Sequence, residues 1–164
     1  MATRDPLTEI ANVKAFEDRL SHEWSRSQRY GGSLGILMID LDRFKEVNDV
    51  HGHSAGDRVL VSVANELCTH TRDTDLVARI GGDEFAVICP QTTIQGLQKL
   101  REQLEAELPS AIGFGVGVSI GAAEMKTRDK QSSEMLERAD AAMYARKSSR
   151  RRAPSPDDLF AKAS

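Results

Sequence analysis

The stretch Asp75-Leu76-Val77-Ala78-Arg79-Ile80-Gly81-Gly82-Asp83-Glu84-Phe85-Ala86-Val87-Ile88-Cys89 decides the fold. Two β-prone runs flank a Gly-Gly pair, the pattern of an antiparallel hairpin with a tight turn. Upstream, residues 34–39 form a continuous apolar run that stops at Asp40, as a strand buried on both faces would. Downstream, residues 113–122 alternate Val116, Val118 and Ile120, a further strand. Helical spacing separates these runs. Val59, Val63 and Leu67, with Leu60, Ala64 and Cys68, mark a helix starting near Ser54, where Ser54 and Asp57 have capping-box spacing. Leu97, Leu100, Leu104 and Leu108 mark another over residues 93–108. The order β-α-β-β-α-β predicts an α+β fold of the ferredoxin-like split βαβ kind. The first strand and the hairpin's first strand are expected side by side or close in one antiparallel-containing sheet.

Further helices flank this core. Ile10, Val13, Phe16, Leu20 and Trp24 predict one over residues 8–29, capped by Thr8, and residues 131–147 predict another. Residues 40–57 read as a polar connection. The basic, then Pro- and Asp-containing end, residues 148–164, is expected to be partly disordered, with at most a short helix after Ser155. The expected division is one domain over residues 1–152 and a flexible tail over 153–164.

Composition narrows the class. A chain of 164 residues fits one domain, and chains of this length bury roughly 70% of their unfolded surface. A net charge of −3 argues against a dedicated nucleic-acid binder. Cys68 and Cys89 lie among apolar residues without metal-ligand spacing, which predicts reduced core thiols. No apolar run approaches the ~20 residues that span a bilayer. Met1-Ala2-Thr3-Arg4-Asp5-Pro6 has no apolar signal region. Cytoplasmic residence is the expectation.

The chemistry gathers in acids. A buried strand ending in Asp40-Leu41-Asp42 delivers carboxylates at its terminus, and the hairpin tip delivers Asp83 and Glu84. If these strands are neighbours the acids converge, and hard cations such as Mg²⁺ take such oxygens together with substrate phosphates. Solvated loop acids are the plainer reading for any one of them. His51 and His53 could suggest a metal site, but zinc needs more ligands than the chain offers nearby. His53 reads as a structural turn residue, His51 as solvated, and Phe44 as core packing beneath the turn.

The segment Asp40-Leu41-Asp42-Arg43-Phe44-Lys45-Glu46-Val47-Asn48-Asp49-Val50-His51-Gly52-His53-Ser54-Ala55-Gly56-Asp57 resembles the D-x-D-x-F-K-x-x-N-D-x-x-G-H-x-x-G-D signature of GGDEF-domain diguanylate cyclases at every fixed position. Gly81-Gly82-Asp83-Glu84-Phe85 is the family's namesake pentapeptide. Ser119-Ile120-Gly121 and Ala139-Asp140-Ala141-Ala142-Met143-Tyr144 match two more of its segments in order. The resemblance runs from Asp5 to about Arg151 and implies a palm-like fold.

It also implies roles. Asp40, the Leu41 carbonyl, Asp83 and Glu84 would hold Mg²⁺, or Mn²⁺, and Asp83 would double as base for the attacking ribose hydroxyl. Lys45 would contact phosphates. Asn48 and Asp57, near His53, would read guanine. An Asp can accept from guanine N1–H and N2–H together, a donor pair that adenine lacks. For Asp57 a helix cap is the plainer reading. Arg72 and Asp75 match the family's R-x-x-D site, which binds the product cyclic di-GMP and inhibits; Arg72 could equally be a helix-end charge. Lys147 and Arg151 match the phosphate-holding residues of A-K-x-x-G-R, while Arg146 and Arg150 replace its Ala and Gly. Near the N-terminus Glu9, Ile10 and Val13-Lys14 depart from the family's opening, and Ile80 replaces an aromatic.

The activity implied is condensation of two GTP into cyclic di-GMP and two pyrophosphates, with product feedback. The alternatives are a catalytically weak GTP or cyclic di-GMP receptor, and a palm-like cyclase or polymerase for other nucleotides. A two-fold product from one GTP per domain requires a transient homodimer. The chain shows no sustained heptads, so an isolated domain is expected to be largely monomeric and weakly active.

Overall fold

A computed structural model describes residues 2–152 of the chain. The elements run α1 (Val13–Tyr30), β1 (Leu34–Asp42), α2 (Phe44–His51), α3 (His53–His70), β2 (Leu76–Arg79), β3 (Glu84–Pro90), α4 (Ile94–Ile112), β4 (Gly117–Glu124) and α5 (Ser132–Arg152). The four strands form one antiparallel sheet in the order β2-β3-β1-β4. This is the expected α+β ferredoxin-like architecture, with β1 and the hairpin's first strand close in one sheet and not side by side. The neighbour of β1 is the second strand of the hairpin, and β2 lies at the sheet edge. The more apolar strand takes the interior, because β3 must be covered on both faces while β2 is only partly buried at its ends.

Strand alternation divides the core. Leu37, Ile39, Leu41, Phe85 and Val87 pack with the apolar faces of α3 and α4, including Val59, Val63, Leu67, Leu97 and Leu104. Leu34, Ile36, Met38, Ala86 and Ile88 pack with Phe16, Leu20 and Trp24 of α1 and Met135, Ala139 and Met143 of α5. α5 sits very close to the sheet. A Cβ at Gly121 would fall 2.0 Å from the Ala139 carbonyl oxygen and 2.3 Å from the Met143 nitrogen, so only glycine admits the helix there.

Several expected boundaries shift for local reasons. α1 begins at Val13, because Asn12 caps it by accepting from the Ala15 N–H at 3.0 Å. Thr8 instead closes a turn, its N–H and hydroxyl both donating to Asp5 Oδ2 at 2.9 and 2.7 Å. The capping box at Ser54 does not form: α3 begins at His53 after Gly52, and no side chain caps it. The polar connection is not all loop: it contains a helix, α2, whose single buried residue is Val47. β4 starts later than expected, since Gly113, Phe114 and Gly115 all take positive φ and turn the chain before it. Cys89 is buried, but Cys68 is exposed, contrary to the core reading. α5 continues through Arg152, so residues 148–152 are helical rather than disordered. The expected tail, residues 153–164, lies outside the described residues, as does the Arg151 side chain.

Candidate active site

The acids meet at one end of the sheet because of register. Asp40 pairs with Glu84 across β1 and β3, and with Ser119 across β1 and β4. The ladder carries on into the hairpin tip, where the Leu41 N–H donates to the Asp83 carbonyl at 3.3 Å. The tip itself is held by Arg79. Its guanidinium donates to the Gly82 carbonyl at 3.1 and 2.8 Å and bridges to the Asp5 carboxylate at 3.2 Å. Burial opposes ionisation of Asp5, but the Thr8 and Arg79 bonds together hold its carboxyl below the usual range. Arg79 was not singled out from the sequence; its place just before the Gly-Gly turn was the available signal.

Asp40 is buried. Its Oδ2 accepts from Lys147 Nζ of α5 at 2.6 Å, and its Oδ1 has no hydrogen-bond partner among the described residues. Burial, then the nearby Asp40 charge, raise Asp83 above the ordinary carboxylate range. Glu84 is raised by burial, then by Asp40, Asp83 and Asp140. The site is short of positive charge, and its orphaned oxygen suits a cation. Among the described residues no set of three His, Cys, Asp or Glu side chains is close enough to hold a metal ion unaided. A cation here would take one or two carboxylates and complete its shell with carbonyl, water or phosphate oxygens, which is how Mg²⁺ is ordinarily bound.

Asp42 has a different task. On the same face as Asp40, it accepts from the Ser119 hydroxyl at 2.8 Å and from Arg150 at 3.0 Å. Arg150 also donates to the Val118 carbonyl. The arginine that replaces the family's glycine thus fastens the end of α5 to β1 and β4.

Beyond β1 the chain turns through Arg43, at φ 66°, into α2. No side chain caps α2, so its first backbone N–H groups stay open, an arrangement suited to phosphate. Lys45 lies exposed in this first turn, and Phe44 packs against the core, the place expected for it. Asn48 is half-buried and lies over Gly56 of α3; a Cβ at Gly56 would fall 1.9 Å from Asn48 Oδ1. The adjacent Asp57 is exposed inside α3, not a cap. His53 starts α3 exposed beside this pair, and His51 is exposed with its ring 5.1 Å from that of Phe114.

Arg72 and Asp75 lie before β2, away from the acid cluster. The Arg72 guanidinium meets the Asp75 carboxylate at 2.8 and 3.3 Å, and reaches the Pro90 carbonyl at 2.9 Å and Thr92 Oγ1 at 2.7 Å. They border a groove of about 560 Å³ under the N-terminal segment, lined also by Arg4, Thr71 and Cys68.

Residues 2–153 match the family described as "Diguanylate cyclase, GGDEF domain". The chain belongs to the GGDEF-domain family. Among curated GGDEF relatives, diguanylate cyclase DgcP of Pseudomonas aeruginosa is 37% identical over 151 residues, covering 89% of this chain and 22% of that protein. Probable diguanylate cyclase DgcC of Escherichia coli K12 is 34% identical over 158 residues, covering 93% and 43%. The chain therefore spans less than half the length of either relative. The GGDEF domain of DgcB from Caulobacter crescentus, solved in complex with c-di-GMP, superposes with a TM-score of 0.83 at 34% identity, covering 88% of this chain and 90% of that one. Diguanylate cyclase SiaD from Pseudomonas aeruginosa, solved with its activator SiaC, gives 0.81 at 37% identity, covering 90% and 59%. No helix among the described residues is long and apolar enough to cross a membrane.

Proposed function

We propose that this domain is a diguanylate cyclase that condenses two GTP into cyclic di-GMP. The observation that carries the reading is the meeting of Asp40, Glu84 and the Asp83 tip at one sheet end, with the Lys147 ammonium already on Asp40. The open N-terminus of α2 follows directly from that strand.

Each ribose 3′-hydroxyl attacks the α-phosphate of the other GTP. A new P–O bond forms, the bond to pyrophosphate breaks, and the hydroxyl proton passes to a base. Asp83, at the hairpin tip beside the end of β1, is that base. Asp40, the Leu41 carbonyl, Asp83 and Glu84 would hold Mg²⁺ or Mn²⁺, which neutralises phosphate charge and eases ionisation of the hydroxyl. Lys45, Lys147 and Arg151 bind phosphate. Asn48 and Asp57, beside His53, bind the guanine edge and select against ATP. Much of the rate comes from holding two nucleotides in line. One site holds one GTP, so two domains must meet about a two-fold axis, transiently in this chain.

Arg72 and Asp75 are read as the product-inhibition site, since a half-exposed guanidinium held by a buried carboxylate suits phosphate and guanine edges. That pair is independent of the acid cluster, which favours a second reading, a GTP or cyclic di-GMP receptor without turnover. Incubation with GTP and Mg²⁺ separates the two: cyclic di-GMP by mass, absent with ATP, supports the enzyme. Binding of GTP or cyclic di-GMP with no product leaves the receptor.

A further inference from the structure

The end of α5 is clamped on both sides of Lys147. Arg146 donates to Glu105 of α4. Arg150 donates to Asp42 and to the Val118 carbonyl. One turn earlier, the glycine-enabled approach at Gly121 fixes Met143 against β4. The helix is therefore held, and only the four-carbon stem of Lys147 is free to redirect its charge. In this arrangement its ammonium lies on Asp40 Oδ2, while Oδ1 stays buried without a partner. The ammonium covers one oxygen of a carboxylate whose neighbours, Asp83 and Glu84, add further negative charge.

We propose that Lys147 is a built-in counter-ion that occupies Asp40 until a divalent cation displaces it, and that the freed ammonium then moves onto the nucleotide phosphates. The inference rests on the reading of Asp40 and Asp83 as cation ligands. An ammonium and a divalent ion compete for the same oxygen at contact distance. The competition weakens cation binding in the absence of nucleotide. Once phosphates are present they offer the displaced lysine another anion, so nucleotide strengthens cation binding and, by linkage, the cation strengthens nucleotide binding to the same degree. The clamped helix keeps the ammonium within reach of both positions. A salt bridge serving stability alone would leave cation affinity insensitive to the lysine beyond the general loss of one positive charge.

The test is Mn²⁺ titration followed by electron paramagnetic resonance, first without nucleotide, on the wild type, Lys147→Gln and Arg150→Gln. Each variant loses one positive charge near the site, but only Lys147 touches Asp40. Lys147→Gln should bind Mn²⁺ on the order of tenfold more tightly than wild type, the scale of one charged hydrogen bond. Arg150→Gln should stay within about twofold, as expected for a screened charge. With α,β-methylene-GTP present, the wild type should gain cation affinity and the Lys147→Gln advantage should disappear. Equal or weaker Mn²⁺ binding by Lys147→Gln overturns the inference, as does equal tightening in both variants, or Mn²⁺ binding that appears in both proteins only with nucleotide. Absence of Mn²⁺ binding in either protein, with or without the analogue, instead overturns the assignment of Asp40 and Asp83. Should circular dichroism find Lys147→Gln misfolded, Lys147→Met keeps the stem packing and answers the same question.

Discussion

Gly56→Ala separates the fold from guanine binding. Gly56 is buried within α3, and an alanine there ordinarily stabilises a helix by about 1 kcal/mol. Here the new methyl would fall 1.9 Å from Asn48 Oδ1, 2.9 Å from Asn48 Cγ and 3.3 Å from Phe44 Cζ. The Asn48 carboxamide must swing away, at a cost of about 0.5–1.5 kcal/mol for a strained rotamer. The two effects nearly cancel, so the thermal midpoint should move by no more than about 4 °C. Nucleotide binding has no such compensation. Loss of the Asn48 hydrogen bond to guanine should weaken it by about 1–3 kcal/mol, roughly five- to 150-fold. Differential scanning calorimetry gives the first number, and isothermal titration with α,β-methylene-GTP the second. Unchanged nucleotide affinity in a folded Gly56→Ala protein would refute the placement of guanine over Asn48.

Three more outcomes follow from the charges. Asp83→Asn should abolish product formation while raising the thermal midpoint of the metal-free chain, because it removes a carboxylate that burial, and then the Asp40 charge, disfavour in its ionised form; residual turnover would remove Asp83 from its role. Arg72→Ala should lower cyclic di-GMP affinity and relieve product inhibition in progress curves, and unaltered product affinity would reduce Arg72 to a turn residue. His70 bonds the Glu66 carbonyl and the Glu107 carboxylate, which raise its pKa above 6.5 despite burial. A raised folded pKa gives stability that is complete below 6.5 and is lost as pH rises through the folded value. The melting midpoint should therefore fall between neutral and mildly alkaline pH in wild type, and that part of the fall should vanish in His70→Gln.

What the residues revealed in advance follows their physics. The strands were legible because their apolar runs stop at charge or glycine: residues 34–39 at Asp40, and the hairpin's first run at Gly81-Gly82. Which hairpin strand lies beside β1 stayed open, because period and turn alone do not say which goes inside. α2 escaped because it is only eight residues long, so its apolar face, Phe44 and Val47, spans about one turn, too short for a helical period to show. The caps at Thr8 and Ser54 were plausible by residue type, but Asp5 captured Thr8 and Gly52 opens α3. At the site, the carboxylates could be named from their motif, whereas the ties of Arg79 to Asp5 and of Arg150 to Asp42 depend on tertiary approach. Arg150 stands where the family's pattern has glycine, so a departure from the motif turned out to carry a contact.

The central claim is that two copies of this acid site join two GTP. Initial rates of cyclic di-GMP formation, measured by mass with GTP and Mg²⁺ saturating over a protein dilution series, test it most directly. Cyclic di-GMP should be the product, with activity per chain rising with protein concentration as domains pair. No cyclic dinucleotide, or a specific activity that stays flat while scattering finds a monomer throughout, would contradict it.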